Sequence, residues 1–192
     1  MTLSELYLDL GMPNSAFEGI VTNDDNILAM NISVPYDPDL PVDEYAVVQE
    51  AIEGLDSQMN AESQDKTYIR AGKSTTKTNT QRSFKVTGDR FIGDPFQDFV
   101  FSHKIRYGVG EQVNRDYLWI NALNGIGEKG IGAIIVNSDG SGNAGETAAI
   151  DIDIKKVRKM PDPFTYTPTI IPPDPEGLAL TDSAKTDTSK AV

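Results

Sequence analysis

Hydrophobic and polar positions alternate most cleanly in the second half of the chain. In residues 147–157, Ala148, Ile150, Ile152 and Ile154 fall on one side and Ala149, Asp151, Asp153 and Lys155 on the other, the period-two signature of a half-buried strand. Residues 81–92 repeat it, with Phe84, Val86 and, at the end, Phe91 against Arg82, Lys85 and Thr87. Residues 115–123 set Tyr117, Trp119 and Asn121 on one face and Leu118, Ile120 and Ala122 on the other, and residues 132–137, GAIIVN, read as a further strand. Short glycine-rich turns between the last three strands predict an antiparallel meander.

One segment changes period. Asp94 followed by Pro95 is a carboxylate N-cap before a proline at the first helical position, where no N–H is missed. Phe96, Phe99, Val100 and His103 then recur at i, i+3, i+4 and i+7. Lys104 and Arg106 suit the negative end of the helix dipole, and Gly108 stops the run. The spacing predicts a helix over about 94–105, packed through its two phenylalanines, with His103 on the packing face.

The remaining segments carry weaker patterns. Residues 1–43 hold Pro13, Pro35, Pro38 and Pro41 and read as an irregular arm, with a possible edge strand at 26–34. Residues 44–55 read as a strand through Val47, Val48, Ile52 and Leu55. Residues 56–80 are Ser, Thr, Asn and Lys around one apolar pair, Tyr68 and Ile69, and read as a long loop, a length that implies function or a partner. Six of the eleven prolines fall after residue 160, and residues 165–192 are expected as an extended to disordered tail. The sum is a mainly β chain with one flanking helix. Its expected form is two packed antiparallel sheets, a β-sandwich or small barrel over 44–164, between N- and C-terminal arms.

Charge sharpens this picture. The 192 residues carry 29 acids and 17 bases, for a net charge of −12. Residues 1–65 hold fourteen of the acids and no base, Lys66 being the first, so the whole negative excess belongs to the first third. That third is either a solvated acidic surface or one that docks on a basic face of a neighbouring copy. The balance disfavours tight groove binding to nucleic acid. There is no cysteine, hence no disulfide and no thiolate metal site. The opening MTLSELYLDLGMP lacks the features of a signal peptide, and no apolar run reaches the ~20 residues of a membrane helix, so synthesis and assembly are expected in the cytoplasm without membrane contact.

Candidate chemistry is thin. Residues 125–130 spell GxGxxG after a strand, but the next residues are β-branched and strand-like rather than the helix that would hold a pyrophosphate, so a glycine-rich hairpin turning at Asn124–Gly125 is the better reading. Residues 137–146, NSDGSGNAGE, resemble a calcium loop without the acidic twelfth position and read as a hairpin turn. His103 is the only histidine, and no GxSxG elbow accompanies it. Asn31-Ile32-Ser33 spells a glycosylation sequon with nothing else to suggest secretion. No catalytic residue, cofactor or metal is assigned, and the chain reads as a non-enzyme.

Gly88-Asp89-Arg90, Gly93-Asp94 ahead of the helix, Lys104 with Tyr107-Gly108 and Gly110, Asp116-Tyr117 opening a strand, and a turn Gly127-Glu128-Lys129-Gly130 with Gly142 to Gly145 beyond occur in a telling order. Over about 45–164 the chain resembles the major tail protein, or tail tube protein, of long non-contractile-tailed bacteriophages. The resemblance implies a structural virion subunit with a flanked double sheet, forming stacked hexameric rings whose inner sheets join into one barrel. Its implied partners are other copies of itself, the tape-measure protein, the tail terminator and distal tail proteins, with double-stranded DNA as transiting cargo. Asp151 and Asp153 are then candidates to line the lumen. Lys66, Tyr68, Arg70, Lys73 and Lys77, joined by Arg82, are candidates to contact an acidic neighbouring ring. The competing reading is a β-sandwich module recognising carbohydrate or protein through Trp119, Tyr117 and Tyr107.

Overall fold

A computed structural model describes residues 1–168; the predicted C-terminal tail lies almost wholly outside the described residues. The fold is mainly β. Helix α1 (Leu3–Leu10) precedes strand β1 (Asn26–Met30), followed by β2 (Ala46–Val47), β3 (Ile52–Gln58), β4 (Ala61–Tyr68), β5 (Gly72–Thr80) and β6 (Ser83–Asp89). Helices α2 (Pro95–Val100) and α3 (His103–Arg106) come next, then β7 (Asn114–Asn121), β8 (Ile126–Ser141), β9 (Ala149–Lys156) and β10 (Asp162–Thr165). Eight strands form one antiparallel sheet in the order β2-β1-β7-β8-β9-β6-β3, with β10 added along the start of β8. β4 and β5 form a second, small sheet of their own.

The large sheet has a core on each face, but the two cover different strands. On the first face Leu28, Met30, Phe84, Val86, Tyr117, Ile134, Ile150, Ile152 and Ile154 meet Phe96, Phe99 and Val100 of α2 and Ile105 of α3. On the second, Ile27, Ala29, Val47, Leu118 and Ile120 lie under Leu3 and Tyr7 of α1, with Tyr45 and Tyr166 closing the sides. β1 and β7 are therefore buried on both faces, as the two apolar faces of β7 required. β9 and β6 are buried on one, as their alternation required. β1, expected at an edge, lies between β2 and β7 because Pro35, Pro38 and Pro41 all fall beyond its end.

Several expectations are corrected. The first 43 residues include a helix: Thr2 and Glu5 form a reciprocal capping box, and Leu3 and Tyr7, one turn apart, bury the same face. The chain start is stitched to the edge of β2, with the Leu3 N–H donating to the Tyr45 carbonyl at 2.9 Å and the Val47 N–H to the Met1 carbonyl at 3.1 Å. The strand expected over 44–55 is two, broken at Ala51, which has φ 56°. The helix expected over 94–105 starts as predicted, its Asp94 carboxylate accepting from the Gln97 N–H at 2.8 Å. It breaks at Phe101–Ser102, where the extended Ser102 starts α3 afresh. The new phase turns His103 to solvent and sends Ile105 inward. Phe91 lies past the end of β6 and is exposed.

The turn expected at Asn124–Gly125 forms, with Gly125 at φ 71°, but the rest of the GxGxxG belongs to β8, so the turn expected at Gly127–Gly130 is strand instead. The motif's glycines are there for close packing. A Cβ on Gly127 would stand 1.9 Å from the Trp119 carbonyl oxygen, and one on Gly130 would meet the Tyr117 ring at 2.9–3.0 Å. Gly127→Ala should therefore cost about 3 kcal/mol, the upper part of the range for overpacking, since the clash is with backbone rather than a movable side chain. Chemical denaturation measures it, and a loss under about 1 kcal/mol would contradict this packing.

Candidate functional site

Two surfaces are left uncovered, and neither is a catalytic pocket. Among the described residues no cluster of three or more metal-ligating side chains occurs.

The first surface is the outer face of β3, β6, β9 and the far half of β8. The register builds it in rows: Asp56 lies beside Lys85, Lys85 beside Asp153, and Asp153 beside Ile135, while Gly54, Thr87, Asp151 and Ser138 form the next row. Asp151, Asp153 and Lys155 thus share this face, as their alternation predicted, and the structure brings Asp56, Asp89 and Lys85 to join them. Lys85 Nζ bonds Asp151 at 2.9 Å, and Lys155 Nζ bonds Asp153 at 3.1 Å. The Lys85 ammonium, helped by the Asn137 amide, holds the Asp151 carboxyl below its ordinary range. With Asp89 at the end of β6, four carboxylates face two ammonium groups, so the surface is mixed in sign with a negative excess of two. Sequence reading placed Asp151, Asp153 and Lys155 on one face because they alternate with isoleucines; it missed Asp56, Asp89 and Lys85 because they lie on neighbouring strands.

Among the described residues, both sides of this four-stranded surface end in backbone with no strand partner, with the Asn23 amide reaching the Leu55 carbonyl of β3 at 3.4 Å. β3 pairs only with β6, and past Ala133 β8 pairs only with β9, with Arg106 of α3 bonded to Asp139 alongside.

The second surface is the ribbon β4–β5. Residues 56–80 were expected as a loop; instead, from Ala61 to Thr80 they pair as an antiparallel hairpin with Tyr68 opposite Gly72. Every residue of β4 is exposed, and so is every residue of β5 but Thr80. Because neither face of the ribbon is buried, its sequence has no apolar alternation to read; the signal that was present is β-branching, with threonine at 67, 75, 76, 78 and 80. Its root is pinned by Asn60, whose side chain donates to the Gln81 carbonyl at 3.1 Å and to Ser83 Oγ at 2.7 Å. Of the candidate contact residues, Tyr68 and Arg70 stand at or beside the tip with Ile69, and Lys66 stands just below. Lys73 bonds Asp65 at 2.7 Å, and Lys77 lies back at the root near Met59 and Lys156. Arg82 is removed from the set: it is buried, donates to Glu128 at 2.6 Å and stacks 4.4 Å from the Phe84 ring centre.

The aromatic cleft of the competing reading does not form. Tyr117 is fully buried and Trp119 packs against the first core, so only Tyr107 is exposed.

No protein-family model matches the chain, and no curated protein does. Among solved structures, it is similar to a chain in the tail of an empty gene transfer agent particle refined with C6 symmetry, at TM-score 0.49 and 11% identity, covering 77% of this chain and 100% of that one. It is similar to a chain of the anti-feeding prophage cap at TM-score 0.48 and 12% identity, covering 79% and 95%. A chain of the sheath–tube complex of an extracellular contractile injection system is similar at TM-score 0.47 and 11% identity, with the same coverages.

Proposed function

We propose that the chain is a structural, non-enzymatic subunit that polymerises into the hollow tube of a phage-type tail, as stacked rings. The observation that carries this reading is the four-stranded surface with one face on the core, the other bare, and unpaired backbone on both sides. Such edges invite pairing with another copy, and a ring of copies leaves none exposed. In a ring of six, four strands from each copy make a barrel of 24. At about 4.8 Å per strand this is roughly 37 Å across at the backbone before strand tilt widens it, a channel for duplex DNA.

In that ring the bare face lines the channel. Asp151 and Asp153 face the passing phosphates, and their pairing with Lys85 and Lys155 keeps the wall near neutral, so DNA neither adheres nor is strongly repelled. The ribbon serves the other direction of assembly. Lys66, Tyr68, Arg70, Lys73 and Lys77 contact the adjacent ring, whose acidic residues come from the first 65 positions. The finished tube belongs in a virion tail, assembled in the host cytoplasm around a tape-measure protein and closed by terminator and distal tail proteins.

Electron microscopy of the purified protein across a concentration series tests the reading. Rings or hollow tubes are expected at high concentration; dispersed monomers at every concentration would sink it.

A further inference from the structure

β6 has a hollow at one end and an apolar loop at the other. Where it starts, beside the root of the ribbon, a trough of about 330 Å³ is walled by Met59, Met160, Pro161 and Pro163 and rimmed by Lys77 and Lys156. Arg82 at its floor stacks on Phe84 of the first core, so the trough opens on the side of the sheet that α2 covers. Where β6 ends, the chain runs through Phe91 and Ile92 into α2 on that same side. Ile92 is 82% exposed and Phe91 46%. Their loop is nevertheless fixed: the Phe91 N–H donates to the buried Gln97 side chain at 2.8 Å, the Gly93 N–H donates to Asp98 at 2.9 Å, and Arg90 also bonds Asp98. Two large apolar side chains held out to solvent on a clamped loop have the make-up of an interface anchor.

We infer that Ile92 and Phe91 of one copy seat in the trough of a second copy stacked along the tube, a contact between sheet bodies that does not use the ribbon tip. This rests on the tube reading above and gives its stacking a second, apolar joint. Loop and trough lie on one side of the sheet at opposite ends of one strand, so the contact repeats head to tail without closing, the geometry of a filament. The trough has room, since a cavity of about 150 Å³ takes a benzene-sized guest, and its two methionines can reshape around a ring or a branched side chain. Charge agrees. Beside the loop stand the exposed Glu50, whose carbonyl accepts from Gln97, and the exposed Glu146, in the hairpin whose Ala148 carbonyl accepts from the Arg90 N–H. These acids would meet Lys77 and Lys156. The occupant is a second copy because one copy cannot fill its own trough: the seven residues of β6 hold the two sites about 20 Å apart.

The absence of cysteine makes the test specific. Ile92→Cys and Met160→Cys are made singly and together, assembled under reducing conditions, and oxidised as pelleted tubes. A disulfide needs Cα atoms within about 7 Å, which no single copy provides across the length of β6. The double variant is expected to give a ladder of covalent oligomers on a non-reducing gel, and each single variant only monomers. Tubes of the double variant without a ladder, or dimers from either single variant, which would mean that like ends meet, would each dismiss this contact while leaving the tube standing. Failure of the unmodified protein to form tubes removes the tube reading itself. Independently, Ile92→Ser should raise the critical concentration for tubes at least about tenfold without moving the thermal midpoint, because this side chain is buried only in the assembly. An unchanged critical concentration would overturn the role of Ile92, whatever the double variant does.

Discussion

Excising residues 61–80 and joining Asn60 to Gln81 through an Asn-Gly turn is expected to abolish tubes while leaving a folded body. No side chain of the ribbon enters either core, so the loss of stability should stay within about 1 kcal/mol, the range of surface changes. The two-residue turn suits the twist of an antiparallel pair, and Asn60 keeps its bonds to Gln81 and Ser83. Two measurements separate the possibilities. Thermal unfolding should remain cooperative near the parent midpoint, and sedimentation at concentrations that pellet the parent should leave the variant in solution, as monomers or single rings. Undiminished tube formation would show that stacking does not use the ribbon.

Replacing Asp151 and Asp153 together by lysine should slow DNA passage. The bare face would change from four carboxylates and two ammonium groups to two and four, from an excess of −2 to +2 in every copy. Repeated around and along a channel, that makes a basic groove of the kind that holds phosphate backbone through counterion release. Ejection rates from particles carrying the variant are expected to fall by an order of magnitude or more at low salt and to recover as salt shortens the Debye length below about 10 Å. Folding should change little, because both ion pairs are partly exposed and such pairs contribute about 1 kcal/mol or less. Normal ejection with normal tubes would move these aspartates off the channel wall.

What could be read from residues alone followed burial. β9 was legible because its isoleucines alternate with charges, and β7 because its side chains divide between two faces, although burial of both was not foreseen. The cap of α2 was legible because Asp94-Pro95 is local chemistry. The ribbon was not, since a strand pair with solvent on both faces has no reason to alternate. α1 is masked, although Thr2 and Glu5 spell its capping box, because the prolines and turn formers beyond it dominate that region. His103 was misplaced by one assumption, an unbroken helix. The open face was half legible: Asp151, Asp153 and Lys155 sit on one strand, but Lys85, Asp56 and Asp89 lie across the sheet, where only register could bring them together.

With the ribbon at only one end of the β3–β6 pair, the two ends of any stack would be chemically unlike. One would present bare basic tips and the other the surface that receives them. Such a polymer has a direction, and growth at its two ends would differ in rate. A protein that stops growth would need to mimic one half of the contact without offering the other, so the cap for one end would be useless at the opposite end.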